Sequence, residues 1–540
     1  MSNSVLSPEP ASDALKCSAS TRTHWVRKPD WALAAVLLVL VLVLQALSGA
    51  YRGDFDANED EAAHVVSSLM VHDYLVSGKM AHPWRFATDY YVHYPKVAIL
   101  HWPPLFYSSE AMWMFATSRS RAGLLSFQAV LASTLVIGLF FWMRREHGLW
   151  ISFVAALVMA SNRTMMAAAV EVSPDLLLAL LVFWAAAQYG LYIATGESRH
   201  VRWAALLAAG ALAAHGRAAV LIMVPVITLL LVRVTKKRIA VAAGMVLVYM
   251  FVPALIGQAY QYSPAKTLAH SWEYLTWLAS SLNWYGVAFA AVGIAVGLRS
   301  GQRRVPQTAL IALVLSCCIF YSVVNVPIDE SYLVTAIPAM IVLAAAGTEE
   351  LLRIASASRF GVGLAVTAMA MVALGFVGWN MYGMPLKRGR VAQRIVGNDM
   401  LYRDSGKIWM VAGDADFEGA IIAEAALRDR AADHIILRAS KMLAKSSWSV
   451  GRYQMLFHDP AGVLNLLDSD QVGWIISREE GSAPHVRQLE AAVESSYPAW
   501  QRVGVATEAN LFKRTEQMPG NPMIEIDMSG KFGGCFRFHE

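Results

Sequence analysis

The sequence predicts a polytopic α-helical membrane protein with a soluble α/β domain at its C-terminus, and three observations support this fold class. Only 16% of its 540 residues are charged and 56% are hydrophobic, whereas a soluble domain carries about 25% charged residues. The deficit lies in residues 31–380, which contain long apolar runs, while 385–540 have the composition of a soluble protein. Short clusters of basic residues separate the apolar runs, as is typical of the loops between membrane spans.

Eleven membrane spans are predicted. The first, Trp31–Ala50, has about the 20 residues that a bilayer core requires, and no small-residue cleavage site follows it, so it is not a signal peptide. Basic residues before this span hold residues 1–30 in the cytoplasm. The predicted spans are 31–50, 123–143, 149–169, 176–195, 203–216, 218–234, 239–257, 284–298, 306–324, 332–346 and 360–380.

The positive-inside rule orients these spans. With the N-terminus inside, the basic clusters at 144–145, 199–202, 233–238, 299–304 and 353–359 all fall in cytoplasmic loops. An odd number of spans then places 385–540 outside, which predicts a multi-pass inner (plasma) membrane protein with a periplasmic C-terminal domain.

Two long loops, 51–122 and 258–283, are predicted on the same periplasmic side as the C-terminal domain. In the first of them, Phe106–Thr117 is amphipathic and too short to span, so it predicts a helix at the membrane surface.

Charge and cysteine content exclude several classes of protein. The net charge is +5, and no Lys/Arg block with interleaved aromatic residues indicates nucleic-acid binding. The four cysteines show no metal-ligand spacing, which argues against a structural zinc site or an obligatory disulfide. They are Cys17, Cys317, Cys318 and Cys535.

The tail, 385–540, alternates predicted strands and helices, which indicates a small α/β sheet. The strands are predicted at 407–414, 434–440, 472–477, 500–506 and 510–515, and the helices at 417–429 and 484–495. Dinucleotide-binding and hydrolase motifs are absent from it. We therefore expect an independently folding domain that regulates access or recognises an acceptor, and that holds no catalytic group.

The loop after the first span begins with DFDANEDEAAH (54–64), which contains Asp60 and Glu61. Consecutive carboxylates on a helix point in different directions, so one can face a substrate while the other contacts a different group. A general base requires one carboxylate that reaches the proton to be removed. The alternative is a solvated acidic loop that caps a helix.

Three further residues are candidates. Lys96 is the only cation in YYVHYPKVAILHWPPLFY (90–107), a stretch whose alternative role is an interfacial aromatic anchor. Asp175 follows a proline at the start of a span, where capping is the alternative. Arg217 is a cation in an apolar hairpin, where snorkelling is the alternative. The predicted topology brings all of these features to the outer face. Transfer from a lipid phosphate needs such a base and such cations.

These motifs resemble a known family. The EDEAAH segment, the YPKVAILHWPPLFY stretch and the Pro-Asp that opens the fourth span resemble the bacterial branch of the protein O-mannosyltransferase and aminoarabinose transferase superfamily, over roughly residues 30–350. These are membrane glycosyltransferases with the GT-C fold. The resemblance implies that Asp60 is the general base, assisted by Glu61, and that Asp175 is a second acidic site. It also implies that Lys96 contacts the donor phosphate, and Arg217 falls where many relatives have Lys-Gly.

One segment departs from the family pattern. Relatives commonly have an Arg-Tyr-Leu-Leu-Pro-like run at the start of a late helix, whereas this chain has ESYLVTAIP (330–338), with Ser331 in place of the usual arginine. This difference leaves open which sugar and which acceptor are used, and whether another residue supplies the missing cation.

The predicted function is an inverting transfer of a sugar from a polyprenyl-phosphate donor to a glycan, lipid or protein acceptor. No cofactor is implied, although a divalent metal stays an open alternative. The rival hypotheses are a lipid-linked-sugar transporter or flippase, and a membrane-anchored binding protein that acts through its tail. The predicted spans carry few charges and show no matching pair of broken helices, which favours surface chemistry over a transport pathway.

Overall fold

The structure is a computed structural model in which helices predominate. It describes residues 28–78, 81–99, 101–232, 235, 238–246, 267–299, 305–323, 329–356, 359–403, 407–445, 453–478, 483–506, 509–516, 524–527 and 535–538. Nearly all of the predicted cytoplasmic tail, 1–30, and most of the predicted span 239–257 lie outside the described residues.

Within the described residues, the membrane half contains fourteen α-helices and two 3-10 turns, at Gly216–Ile222 and Glu330–Leu333. The helices are α1 (Lys28–Leu47), α2 (Glu61–Ser77), α3 (Pro83–His93), α4 (Leu105–Ala116), α5 (Arg121–Arg144), α6 (Leu149–Ser161), α7 (Arg163–Val170), α8 (Asp175–Thr195), α9 (Ser198–Ala214), α10 (Met223–Leu231), α11 (Thr267–Arg299), α12 (Val305–Val323), α13 (Ile337–Ala355) and α14 (Arg359–Tyr382).

Among the described residues, six helices are long and apolar enough to cross a membrane: α1, α5, α8, α11, α12 and α14. A seventh span results if α6 and α7, which meet at a bend of 54°, are counted as one. The polytopic membrane fold is therefore confirmed. The number eleven stays a prediction, because α9 is short and α13 carries charged residues in its last turns.

Two predicted boundaries differ from the structure. The span predicted at 284–298 is part of α11, which begins at Thr267 and bends at Asn283. Its first half was predicted to be loop because polar residues interrupt it, but Tyr274 and Leu278 supply a buried apolar face. The span predicted at 332–346 begins later, at Ile337, because Pro338 suits the first turn of a helix.

The helix bundle has two polar ends. At one end Arg144 bonds to Asp30 with a distance of 3.2 Å between Nε and Oδ1, and His147 bonds to Glu349 with a distance of 2.7 Å. The first loop and the tail lie at the opposite end. The segment that was predicted to be a surface helix is α4, which buries Phe106, Tyr107, Glu110, Ala111 and Met114.

The tail has the predicted α/β architecture. Its helices are α15 (Val391–Val396), α16 (Met400–Arg403), α17 (Ala415–Arg428), α18 (Ala439–Met442), α19 (Pro460–Ser469) and α20 (Pro484–Ser495). Its strands are β1 (Ile408–Ala412), β2 (Ile435–Arg438), β3 (Ala444–Lys445), β4 (Gln454–Met455), β5 (Trp474–Ser477), β6 (Trp500–Ala506), β7 (Ala509–Arg514), β8 (Ile524–Asp527) and β9 (Cys535–Phe538).

The main sheet of the tail has the strand order β2-β1-β5-β7-β6. The strands β2, β1 and β5 pair in parallel, and β7 pairs antiparallel with both of its neighbours, β5 and β6. The interior strand β1 is buried at every position, as its continuous apolar run predicts.

The tail packs directly on the first loop, because α17 lies against α2. Tyr94 donates its hydroxyl to the carbonyl of Asp429 at 2.8 Å, and the buried carboxylate of Asp54 accepts from the backbone N–H groups of Ala392 and Gln393 at 2.9 and 3.1 Å. Apolar residues of the spans, of α2 and of α17 belong to one continuous core. Independent folding of 385–540 stays a prediction, and an isolated tail would expose the face of α17 that covers α2.

Candidate active site

The candidate site begins where α2 starts. The Asn58 side chain accepts from the backbone N–H groups of Asp60 and Glu61, both at 2.9 Å. Asp60 occupies the N-cap position, but its side chain makes no capping hydrogen bond. The turn is therefore closed by Asn58, and the capping role that was the alternative for the acidic pair is filled by a different residue. Asp60 itself is half-buried.

Glu61 has a different environment from its neighbour. It is fully buried, and its two oxygens accept from the backbone N–H groups of Ala57 at 2.9 Å and Val172 at 3.0 Å. It also forms an ion pair with Lys387, which lies in the tail. Glu61 therefore joins the first loop to the segment before α8 and to the tail, and this arrangement suits a positioning residue.

Lys96 lies between the membrane half and the tail, and its side chain is fully buried. Burial, followed by the Arg438 guanidinium, lowers the pKa of Lys96 to about 7, while Glu418, Asp60 and Glu59 oppose that shift. The ammonium group therefore faces carboxylates from both halves of the protein. A cation with a pKa near 7 in a desolvated position is typical of functional sites.

Asp175 and Arg217, which were predicted as separate features, form an ion pair with each other. The Arg217 guanidinium also lies 4.6 Å from the centre of the Tyr332 ring and 3.4 Å from the Ser331 hydroxyl. The small Ser331 side chain thus stands beside a guanidinium at the position where relatives have an arginine of their own. Asp175 holds this cation in place.

Aromatic and histidine side chains connect these groups. The His64 Nδ1 lies 2.9 Å from the Tyr107 hydroxyl, and the His64 ring packs on Trp102 with 4.4 Å between centroids. Burial, followed by Arg217, lowers the pKa of His64 to about 3, so this imidazole is neutral at physiological pH.

Asp60 belongs to the same neighbourhood as these side chains. Its charge acts on Lys96, Tyr107 and Tyr332, residues that come from three separate segments of the chain.

Several residues of the site were not predicted from the sequence. Lys387, Glu418 and Arg438 all come from the tail, to which no site residue had been assigned. One signal could have indicated Lys387: the Lys-Arg-Gly-Arg run at 387–390 follows the last predicted span on the outer side, where the positive-inside rule predicts few cations. Such a cluster needs an acidic partner, and the first loop supplies one.

The arrangement can bind an anion and remove a proton. Glu61 and Asp175 each hold a cation by an ion pair, and Glu61 also accepts from two backbone N–H groups, whereas the Asp60 carboxylate reaches the half-exposed surface of the site. Lys96 and Arg217 supply positive charge. In the part of the chain that the structure describes, no three His, Cys, Asp or Glu side chains are grouped so that they could hold a metal ion.

Comparison with solved structures identifies the fold. ArnT from Cupriavidus metallidurans in the apo state has a TM-score of 0.56 at 12% identity, over 88% of this chain and 97% of that chain. The same protein bound to undecaprenyl phosphate has a TM-score of 0.55 at 12% identity, over 90% and 98%. AglB, an oligosaccharyltransferase from Archaeoglobus fulgidus in complex with an inhibitory peptide and a dolichol-phosphate, has 0.54 at 10% identity, over 91% and 75%.

The chain therefore has the GT-C fold of membrane glycosyltransferases. Residues 103–256 match the family model described as dolichyl-phosphate-mannose-protein mannosyltransferase. Together these matches confirm the resemblance to the O-mannosyltransferase and aminoarabinose transferase superfamily that the motifs indicated. No curated protein sequence matches the chain.

Proposed function

We propose that the protein is a glycosyltransferase that moves a sugar from a polyprenyl-phosphate donor to an acceptor at the outer face of the membrane. The observation that carries this proposal is the convergence of the half-exposed Asp60 with two cations, Lys96 and Arg217, at one polar end of a GT-C fold. The polyprenyl phosphates bound by ArnT and AglB support a donor of the same chemical class.

The reaction follows from the chemistry of these groups. Asp60 takes the proton from the acceptor nucleophile, which then attacks the anomeric carbon of the sugar. The bond between that carbon and the phosphate oxygen breaks, and its electron pair stays on the phosphate. Lys96 and Arg217 stabilise the negative charge that develops there. Attack from the face opposite the leaving phosphate inverts the anomeric centre.

The neighbouring acids take positioning roles in this mechanism. Asp175 holds the Arg217 guanidinium, and Glu61 fixes the start of α2, from which the Asp60 side chain extends. This division explains why an acidic pair is present although a single displacement needs one base. The same organisation places Ser331 beside Arg217, so that one guanidinium serves the region where relatives use an additional arginine.

The test is a turnover assay on the purified protein. The lipid that copurifies with it is identified by mass spectrometry, and its conversion to polyprenyl phosphate is followed with membrane extract as the source of acceptor. Asp60→Asn should lower turnover by about 10²–10⁴-fold, because it keeps the size of the side chain and removes the base. Glu61→Gln should have a milder effect, and Asp89→Asn, at an exposed position of α3, serves as the matched control. Near wild-type turnover by Asp60→Asn would refute the assignment of the base.

A further inference from the structure

One contact between the tail and the predicted donor site involves a glycine. A Cβ atom placed on Gly419, in α17, would lie 3.1 Å from Lys96 Cε and 3.7 Å from Lys96 Nζ. It would also lie 2.9 Å from the Cβ of Ala62, which follows the acidic pair in α2. Carbon atoms in good contact are about 3.5–4.0 Å apart. The backbone of α17 therefore forms a wall against which the Lys96 side chain lies.

Hydrogen bonds hold both helices at this contact, α17 and α2, in position. The Asp414 side chain caps α17 by accepting from the Phe417 N–H at 2.8 Å. In the next turn, Glu418 accepts from Arg438 Nε at 2.9 Å, and from the Ser440 N–H and hydroxyl at 2.9 and 2.6 Å. These bonds tie α17 to the end of β2.

On the other side of the contact, Asn58 fixes the start of α2. Glycine is a poor helix former, and its presence inside α17 is explained by this contact.

We infer that the tail forms one wall of the donor-phosphate site and that Gly419 is a positioning residue, whose missing side chain sets where the Lys96 ammonium group lies. This inference rests on the proposed function, since it takes Lys96 to be a contact of the donor phosphate. It differs from the sequence-based expectation that the tail acts only on access or on the acceptor. A methyl group on Gly419 would push the end of the Lys96 side chain away from its present position.

The experiment measures the binding of undecaprenyl phosphate to the full-length protein by native mass spectrometry. Gly419→Ala should weaken binding at least tenfold. Gly378→Ala is the matched control, because Gly378 lies in helix α14 and a Cβ there would meet nothing within 4 Å. In the Lys96→Ala background, Gly419→Ala should change the Kd less than twofold, because the side chain that it displaces is already gone.

A purely structural role gives a different result, since an undocked tail would weaken binding by the same factor whether or not Lys96 is present. That result, or an unchanged Kd in Gly419→Ala alone, overturns the inference. If Gly419→Ala does not fold, the double variant Ala62→Gly/Gly419→Ala is compared with the single variant Ala62→Gly. The double variant lacks the clash between α17 and α2 but keeps the clash between the new methyl group and Lys96. Weak binding in this pair supports the inference, and full binding overturns it.

The same binding measurements distinguish failure of the proposed function from failure of the inference about the tail. If the wild-type protein does not bind undecaprenyl phosphate, or binds it equally well after Lys96→Ala, the donor-site assignment itself fails and the inference falls with it. If the wild-type protein binds, Lys96→Ala weakens binding and Gly419→Ala does not, the inference about the tail is wrong while the proposed function stands.

Discussion

The charge of Lys96 depends on its burial. Removal from water disfavours the ammonium form of a lysine, and here it brings the pKa to about 7 although three carboxylates oppose the shift. A phosphate anion bound beside Lys96 would add to the negative charge around it and favour the ammonium form further. Binding of such an anion should therefore be accompanied by uptake of a proton whenever the free site is partly neutral.

This coupling predicts a pH dependence. Because the pKa of Lys96 is lowered, its ammonium form predominates below about pH 7 and is lost as the pH rises. The affinity for undecaprenyl phosphate should consequently fall above pH 7, by up to about tenfold per pH unit. Titrations of the wild-type protein between pH 6 and 9 would measure it.

Lys96→Arg is the control for this titration. A guanidinium stays charged throughout that range, so the decline in affinity should disappear, while the ionisation of the ligand itself affects both proteins equally. Binding in Lys96→Arg should be only partly preserved, because a planar fork replaces a compact charge. A decline of equal slope in both proteins would contradict the account.

Only some residues of the candidate site could be predicted from the sequence. Asp60 and Lys96 could be singled out because each lies in a short recognisable motif, and the structure brings the two within electrostatic reach of each other. Their roles stay predictions. The pairing of Asp175 with Arg217 could not be predicted, since the two residues come from different hairpins and only the folded bundle brings them together. Arg438 lies in a part of the tail without a recognisable motif, and only the packing reveals that it approaches the site. For Lys387, the basic run at 387–390 was an available signal.

Among the structural elements, the contact between α2 and the tail depends on the buried ion pair of Glu61 with Lys387. Removing one partner of such a pair leaves a buried charge and costs about 3–5 kcal/mol. Lys387→Met should therefore destabilise the protein strongly, and Glu61→Gln should relieve part of that loss in the double variant. The coupling free energy between Glu61 and Lys387 would be obtained from thermal unfolding in detergent of the wild type, both single variants and the double variant.

The matched control for this pair is Arg353→Met, which breaks the ion pair with Glu350 at a well-exposed arginine. Solvent screens such a pair, so no measurable change in melting temperature is expected. If the losses of Glu61→Gln and Lys387→Met simply add in the double variant, the two residues do not act as a pair, and another contact must hold the tail to α2.

Local sequence patterns predicted most helices of the membrane half and the main strands of the tail, but they did not predict where some of the helices begin or break. The five strands of the main sheet lie where their apolar runs predicted, and α4 lies where amphipathicity predicted. The short strands β3, β4, β8 and β9 and the helix α19 were not predicted. The break at Asn283 lies inside a continuous apolar helix, and the hydrophobic period of the sequence does not record it. The late start of α13 follows from Pro338, a local signal that the predicted span did not use. Nor does the sequence record that one face of the tail's sheet shares a core with α2 and the spans, while a second cluster fills the other face. The division of the chain into two domains stays a prediction.

For the whole molecule, the predicted topology is open to a direct test. A reporter that is active only in the periplasm should be active when fused after residue 540 and inactive when inserted at position 236. The reason is that basic clusters keep their loops in the cytoplasm, while the tail and the first loop contact each other and must lie on the same side. The opposite result at either position would exclude the eleven-span arrangement and the outer-face location of the site.

The packing of the tail on the first loop has a consequence for how the protein is made. The ribosome completes the first loop, with Asp60 and Lys96, before any of the later helices, and the tail is synthesised after those helices. Until the tail arrives, Glu61 lacks its lysine, Asp54 lacks the N–H groups that it binds, and one face of α2 stays uncovered. In the proposed mechanism, an unfinished chain would hold the base without the assembled site, and it would not consume lipid-linked sugar before the tail is in place.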